Sequence, residues 1–302
     1  MLNIIGKRYW YFAISGIVIL AGIIGLFVFG LTPGIEFTSG SLLTVRFETP
    51  PSTEQVNQAL VELGYSNTIV QRTGQGDFLI RVPELTNDAK EALLAGLSGK
   101  LGKAELEGFD SVSPMIAGET TRNAIIAVII SAIGMLLYIS WAFHRMPNPF
   151  RWGTCAIVSL VHDILVVLGV FAFLGGFFGW QVDLMFVTGM LTVIGYSVND
   201  AIVIFDRIRE NLLKGGGLDF EEVVNNSLIE TLSRSFITGL GTLFVLIALL
   251  IFVGAPIQNL VVVLLVGVIT GTYSGICTAA PLLVVWRKGE WGRFIGRRPL
   301  SS

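Results

Sequence analysis

Three stretches of this chain set ionisable side chains among apolar residues. Asp200 lies in a mostly apolar run that extends from Asp183 to Asp206. His162 and Asp163 follow Leu160-Val161 and precede Ile164, and Arg234 sits within Thr231-Leu232-Ser233-Arg234-Ser235-Phe236. A carboxylate in hydrocarbon costs roughly 2.5–3.5 kcal/mol on insertion scales, and such residues mark ion or proton pathways by default. An aspartate can take up a proton there, a histidine titrates near neutral pH, and an arginine supplies a counter-charge.

Counting inward from Asp183, Asp200 lies about 17 residues, or roughly 25 Å, down its helix. That is the inner half of the hydrocarbon layer. Asn199 beside it can hydrogen-bond to another helix. The competing reading makes Asp200 a hydrogen-bonded structural residue. His162 and Asp163 fall near the midplane, about 100° apart on a helix, so the pair cannot face one partner. His162 reads equally as a relay or a packing residue. Arg234 either snorkels from a helix end or, if its helix starts earlier, from about Val223, lies inside the protein opposite an aspartate. Asp206, Arg207 and Arg209 read as the charged cap of the fourth helix.

These residues need helices that cross a membrane, and the composition supplies them. Of 302 residues, 53% are hydrophobic and 14% charged, with a mean hydropathy of +0.73; soluble domains carry about 25% charged residues. Windows of about 20 residues give six spans, roughly 11–31, 122–143, 153–175, 183–205, 235–254 and 259–285. The first is too long for a signal-peptide core and has no small-residue cleavage site, so it reads as uncleaved. Lys7, Arg8, Arg145, Arg151, Arg207, Arg209, Lys214, Arg287, Lys288, Arg293, Arg297 and Arg298 all fall on one side, while short loops 175–182 and 254–258 carry no Lys or Arg. Both termini are therefore expected in the cytoplasm. A charged stretch is expected over 205–235, and a basic cytoplasmic tail over 286–302.

Residues 32–121 form the large outward loop, with six Lys and Arg against twelve Asp and Glu. Leu42–Phe47 alternates as a strand. Ser52 or Thr53 caps a helix running to Gly64. Thr68–Arg72 and Asp77–Val82 flank Thr73-Gly74-Gln75-Gly76 as a hairpin. A helix from Thr86 to Gly99 and a strand from about Ala104 complete β-α-β-β-α-β, the order of a ferredoxin-like α+β sandwich. It holds no Cys, no His and no phosphate loop; its acidity reads as solubility or as a binding surface for a partner subunit or a passing chain. The five spans of 122–285 form an α-helical bundle. Gly267, Gly271 and Gly275 make two consecutive GxxxG steps on the sixth span, a close-approach face. Cys155 and Cys277 fall in apolar runs and read as packing residues.

The motifs resemble the SecD/SecF family of protein-export membrane subunits. Gly34-Ile-Glu-Phe-Thr-Ser-Gly40 resembles the family's G-[IL]-D-F-x-G-G signature, with Glu36 for the usual Asp and Ser39 for the first Gly of the pair. Ile194–Asn211, Asn226–Ser235, Leu160–Asp163 and Gly271–Ile276 also match. The resemblance covers essentially the whole chain. It implies an RND-type half bundle in the bacterial inner membrane and an accessory role in the Sec translocase. It further implies pairing with a SecD half, contact with the translocon channel and unfolded preprotein, and the proton-motive force as drive. By motif, Asp200 and Arg234 are expected in the proton-responsive set; Asp163, His162 and Asn199 are the further candidates. No cofactor, metal or nucleic acid is expected, although a carboxylate could serve sodium instead of protons.

Two other functions are weighed beside this one. A small-molecule exporter of the wider RND class would need larger outward domains to line a cleft. A passive assembly factor would not need a functioning Asp200. No HExxH, paired-aspartate or serine–histidine arrangement points to an enzyme.

Overall fold

In the computed structural model, residues 2–291 are described, apart from 67, 74–75, 145, 147, 215–216, 218 and 253–256. Six helical spans long and apolar enough to cross a membrane run over Ile5–Phe29, Pro114–Ala142, Pro149–Phe178, Leu184–Lys214, Phe220–Phe252 and Gln258–Lys288. Their regular parts are α1 (Arg8–Phe29), α5 (Pro114–Ala142), α6 (Pro149–Phe178), α7 (Leu184–Lys214), α8 (Phe220–Phe252) and α9 (Gln258–Ser274). The last continues through a π-helical turn, Gly275–Ala279, into α10 (Ala280–Lys288).

The helices outrun the apolar windows. The charged stretch expected over 205–235 is almost wholly helical, since α7 runs to Lys214 and α8 starts at Phe220. Ion pairs one turn apart, Arg209–Asp206 at 3.0 Å and Lys214–Glu210 at 2.8 Å, carry α7 past the apolar zone. Glu221 and Glu222 in the first turn of α8 suit its N-terminal dipole. The helix start considered at Val223 is thus reached, and Arg234 lies within α8. Proline at the first helical position opens α5 and α6, and α5 begins at Pro114, earlier than the expected boundary near 122.

The outward domain comprises β1 (Gly40–Phe47), α3 (Thr53–Glu62), β2 (Ile69–Arg72), β3 (Phe78–Val82), α4 (Asn87–Leu101) and β4 (Ala104–Val112). The sheet is antiparallel in the order β2-β3-β1-β4, the ferredoxin-like arrangement. Alternation on β1 buries Leu43, Val45 and Phe47 against Val56 and Leu60 of α3 and Leu93 and Leu97 of α4. Ser52 caps α3 in a reciprocal box with Gln55, and the Thr86 hydroxyl caps α4. The expected hairpin joins β2 and β3; Gly74 and Gln75 at its tip lie outside the described residues.

Between α1 and β1 runs a short strut, with α2 (Ile35–Thr38) packed on α5. It pairs with the loop that precedes α7: Gly34 N–H donates to the Val182 carbonyl at 2.7 Å, and Val182 N–H to the Thr32 carbonyl at 2.8 Å. Arg81 of β3 donates to the Pro33 carbonyl at 2.6 Å and to the Thr38 hydroxyl, so the domain grips the same strut.

At the opposite end of the bundle the first and last described segments of the chain meet. Arg8 donates to Glu221 and to Glu290, each at 2.7 Å, and Lys288 to Asp219 and Glu221 at 2.8 and 2.6 Å. Asn225 of α8 accepts from the backbone of Ile4 and donates to the Leu2 carbonyl. The start of the first span and the end of the last thus lie at one end of the bundle, as an even number of spans requires.

Candidate functional site

Asp163, on α6, has no exposed surface. Its Oδ2 accepts from Ser197 Oγ of α7 at 2.5 Å and from Ser274 Oγ of α9 at 2.7 Å. His162 Nδ1 lies 3.0 Å from Oδ1. The two neighbours, too far apart in angle to share a distant partner, bond each other instead. The His162 ring stacks on Tyr273 with centroids 6.0 Å apart, and its Nε2 is buried without a partner. Tyr273 in turn donates to the Tyr11 carbonyl at 3.0 Å and accepts from Ser15, which ties α1 to the group.

Asp200 is three residues beyond Ser197 on α7 and nearly as buried, at 9% exposure. Its Oδ1 accepts from Ser235 Oγ of α8 at 2.8 Å, whereas Oδ2 is buried with no partner. A carboxylate in ordinary water has about four lone-pair sites filled, so this half-bonded state is the unusual one. The space beside Oδ2 exists because residue 275 is glycine: a Cβ there would come within 3.2 Å of that oxygen. Gly275 also opens the π-helical turn, and such turns recur at functional sites.

The three glycines singled out from the sequence all pack against α7. A Cβ at Gly267 would run into Val193, and one at Gly271 would come 3.3 Å from the Ser197 Cα. With Gly275 against Asp200, they form one seam along which α9 approaches α7 backbone to backbone.

Arg234 is placed differently from the counter-charge expected of it. It is exposed and, among the described residues, makes no ion pair or side-chain hydrogen bond; Asp200 feels its charge, but Ser235 holds the carboxylate. Asn199 is likewise exposed and bonds to no other helix among the described residues. It belongs to a stripe of α7, Met185, Thr192, Asn199 and Asp206, spaced by seven and exposed throughout. Polar groups at membrane depth do not face lipid, so this stripe and Arg234 mark a surface made for protein. Sequence reading missed the three serines. Their signal was local: Ser197 is one turn from Asp200, Ser235 follows Arg234, and Ser274 precedes Gly275.

A second acidic group sits beyond the apolar spans, where the strut meets α7. Burial pushes the Glu36 carboxyl above its usual range, the nearby charges of Asp183 and Asp110 add to this, and Arg81 opposes it. Asp183 caps α7 through the Phe186 N–H at 2.7 Å and accepts from Asn259 of α9 at 2.6 Å. No cluster able to hold a metal ion occurs among the described residues.

Residues 94–289 match the C-terminal domain of the SecD/SecF protein export membrane proteins, and residues 24–51 match the SecD/SecF GG motif. The protein translocase subunits SecF of Anaerolinea thermophila and Thermobaculum terrenum are 42% and 41% identical, over 100% and 98% of this chain and the same shares of theirs. The crystal structure of SecDF from Thermus thermophilus superposes with a TM-score of 0.86 at 30% identity, over 95% of this chain and 39% of that one. SecDF in a super-membrane-facing form superposes with a TM-score of 0.67, over 98% of this chain and 40% of that one, also at 30% identity. This chain spans about two-fifths of those SecDF chains. With its strut motif, its ferredoxin-like domain and its membrane bundle all matched, the chain belongs to the SecD/SecF family of protein export membrane proteins.

Proposed function

We propose that this protein is one half of a proton-driven accessory subunit of the Sec translocase, which works with a SecD half to promote the late stage of preprotein export. The observation that carries this reading is Asp200: a carboxylate deep in the bundle with one oxygen held by Ser235 and the other free beside Gly275. A proton arriving at the free oxygen meets a vacant lone pair. Neutralising the carboxylate weakens its hold on Ser235 and removes its attraction for Arg234, so α8 is released from α7. Moving one charge across 100 mV yields roughly 2.3 kcal/mol, enough to bias such a step.

The strut supplies the route outward. Protein on the membrane side reaches the outward domain through Val182, Gly34 and Arg81, and Val182 lies just before the helix that carries Asp200. The protein-facing stripe on α7 and the unpaired Arg234 support a partner half. SecDF relatives, in which the region similar to this chain is about two-fifths of one longer chain, support SecD as that partner. The ends that carry Arg8, Lys214 and Lys288 lie in the cytoplasm on the positive-inside rule.

The test is Asp200→Asn in a chain assembled with SecD in energised membrane vesicles. Gradient-dependent export of a preprotein should fall at least about tenfold with assembly intact, the size expected for losing a proton-transfer group. Wild-type export would leave only a passive assembly role. Repeating the assay with a sodium gradient alone separates the two ions.

A further inference from the structure

Asp163 and Asp200 are both aspartates, yet their surroundings differ in the feature that matters for a proton. Both oxygens of Asp163 are engaged: two serine hydroxyls from two helices donate to one, and His162 meets the other. An ionised carboxylate only accepts, so His162 donates from Nδ1. Its Nε2, buried and unpartnered, then holds a lone pair and no stranded N–H, which fits the neutral ring. A proton bound at Asp163 would have to displace a serine donor at Oδ2 or the His162 contact at Oδ1; at Asp200 Oδ2 there is no donor to displace.

The donors on Asp163 are also the residues that shape the Asp200 pocket. Ser197 lies one turn before Asp200 on the same helix, and Ser274 immediately precedes Gly275, whose missing side chain leaves the gap at Oδ2. One oxygen of α6 therefore fixes both walls of that gap. We infer that Asp163 is a positioning residue of the coupling cycle, a fixed anion that clasps α7 and α9 around Asp200, and that it carries no proton itself. This rests on the proton-driven reading given above. The elements packed around Asp200 carry His162, Asp163, Arg151 and Cys155 on α6, Arg234, Glu230, Glu222 and Glu221 on α8, Tyr273 on α9 and Cys277 in the π-helical turn.

The experiment compares Asp163→Asn with Asp163→Ala in the SecD-assembled complex. Asparagine keeps an oxygen for both serine hydroxyls, and its amide can donate to the other tautomer of His162, but it has no proton to deliver. Alanine keeps neither bond. Gradient-driven export per assembled complex should stay within about threefold of wild type for Asn and fall at least about tenfold for Ala, as loss of hydrogen bonds to a charged group implies. The double variant Ser197→Ala/Ser274→Ala, which alters no titratable group, should behave like Ala and guards against a folding defect at position 163. The second readout is the pH profile of carbodiimide modification at Asp200: its midpoint should move by half a unit or more in the Ala and double-serine variants relative to Asn.

An Asn variant as inactive as Ala makes Asp163 a carrier and overturns the inference. So does an unmoved midpoint with losses that track the amount of folded complex, which is a purely structural role. Failure of the underlying reading shows elsewhere, as normal export by Asp200→Asn, while the labelling midpoint still reports on the clasp.

Discussion

What a buried residue does here depends on which of its atoms are already bonded. Both oxygens of Asp163 are bonded and only one of Asp200 is, although the two differ little in burial. Ser39 shows the same principle in the backbone. It stands where the family signature has glycine, and it adopts φ 64° with ψ 169°, a region open essentially to glycine alone. The strain is local, because Gly40 beside it must approach the Val82 carbonyl closely. Ser39→Gly should stabilise the folded chain by about 1 kcal/mol; an unchanged or lowered thermal unfolding midpoint would show that the strain is absent in solution.

At the scale of elements, the strut is the part that joins two otherwise separate packing units. The domain core and the bundle core share no buried side chain, and the described links between them run through residues 32–38, Arg81, the loop before α7 and Ser113, which joins β4 directly to α5. Glu36 sits in that joint with its carboxyl pushed up by burial. A carboxylate whose folded-state pKa is raised favours the neutral form, so its contribution is present at low pH and is lost as pH rises through the raised value. Glu36→Gln removes that dependence. Compared by thermal unfolding from about pH 4 to about pH 8, the variant should match wild type at the acid end and exceed it at the neutral end. Parallel curves would mean that Glu36 is solvated in the joint.

At the scale of the molecule, the membrane bundle and the outward domain differ in how fully they cover their own polar groups. α7 and α8 expose Asn199, Arg234 and the stripe around them, and no described residue covers them. The outward domain is by contrast complete, with its own sheet and core. Gly40 and Val112 are register partners at the base of β1 and β4, so residues 41–111 can be removed and the ends closed by a short linker. The shortened chain should still assemble with SecD, while export falls to the level of a strain lacking the protein. Normal export by that variant would remove the domain from the mechanism.

The sequence by itself determined what depends on composition and local spacing. Six spans, the side carrying the positive charge, and the βαββαβ order with Ser52 as cap all follow from hydropathy, periodicity and capping. Short-range physics sets these, so they can be read from neighbours in the chain. The GxxxG steps likewise announced close packing without naming the partner helix. Helix ends were less legible, because ion pairs and dipoles extend helices past the point where hydrophobicity stops. Only the tertiary structure decided how the two aspartates differ. Ser197, Ser235 and Ser274 are ordinary residues in sequence, and each becomes a donor only when helices far apart in the chain pack within hydrogen-bond distance. The free oxygen of Asp200 arises the same way, from a glycine 75 positions away that leaves room beside it.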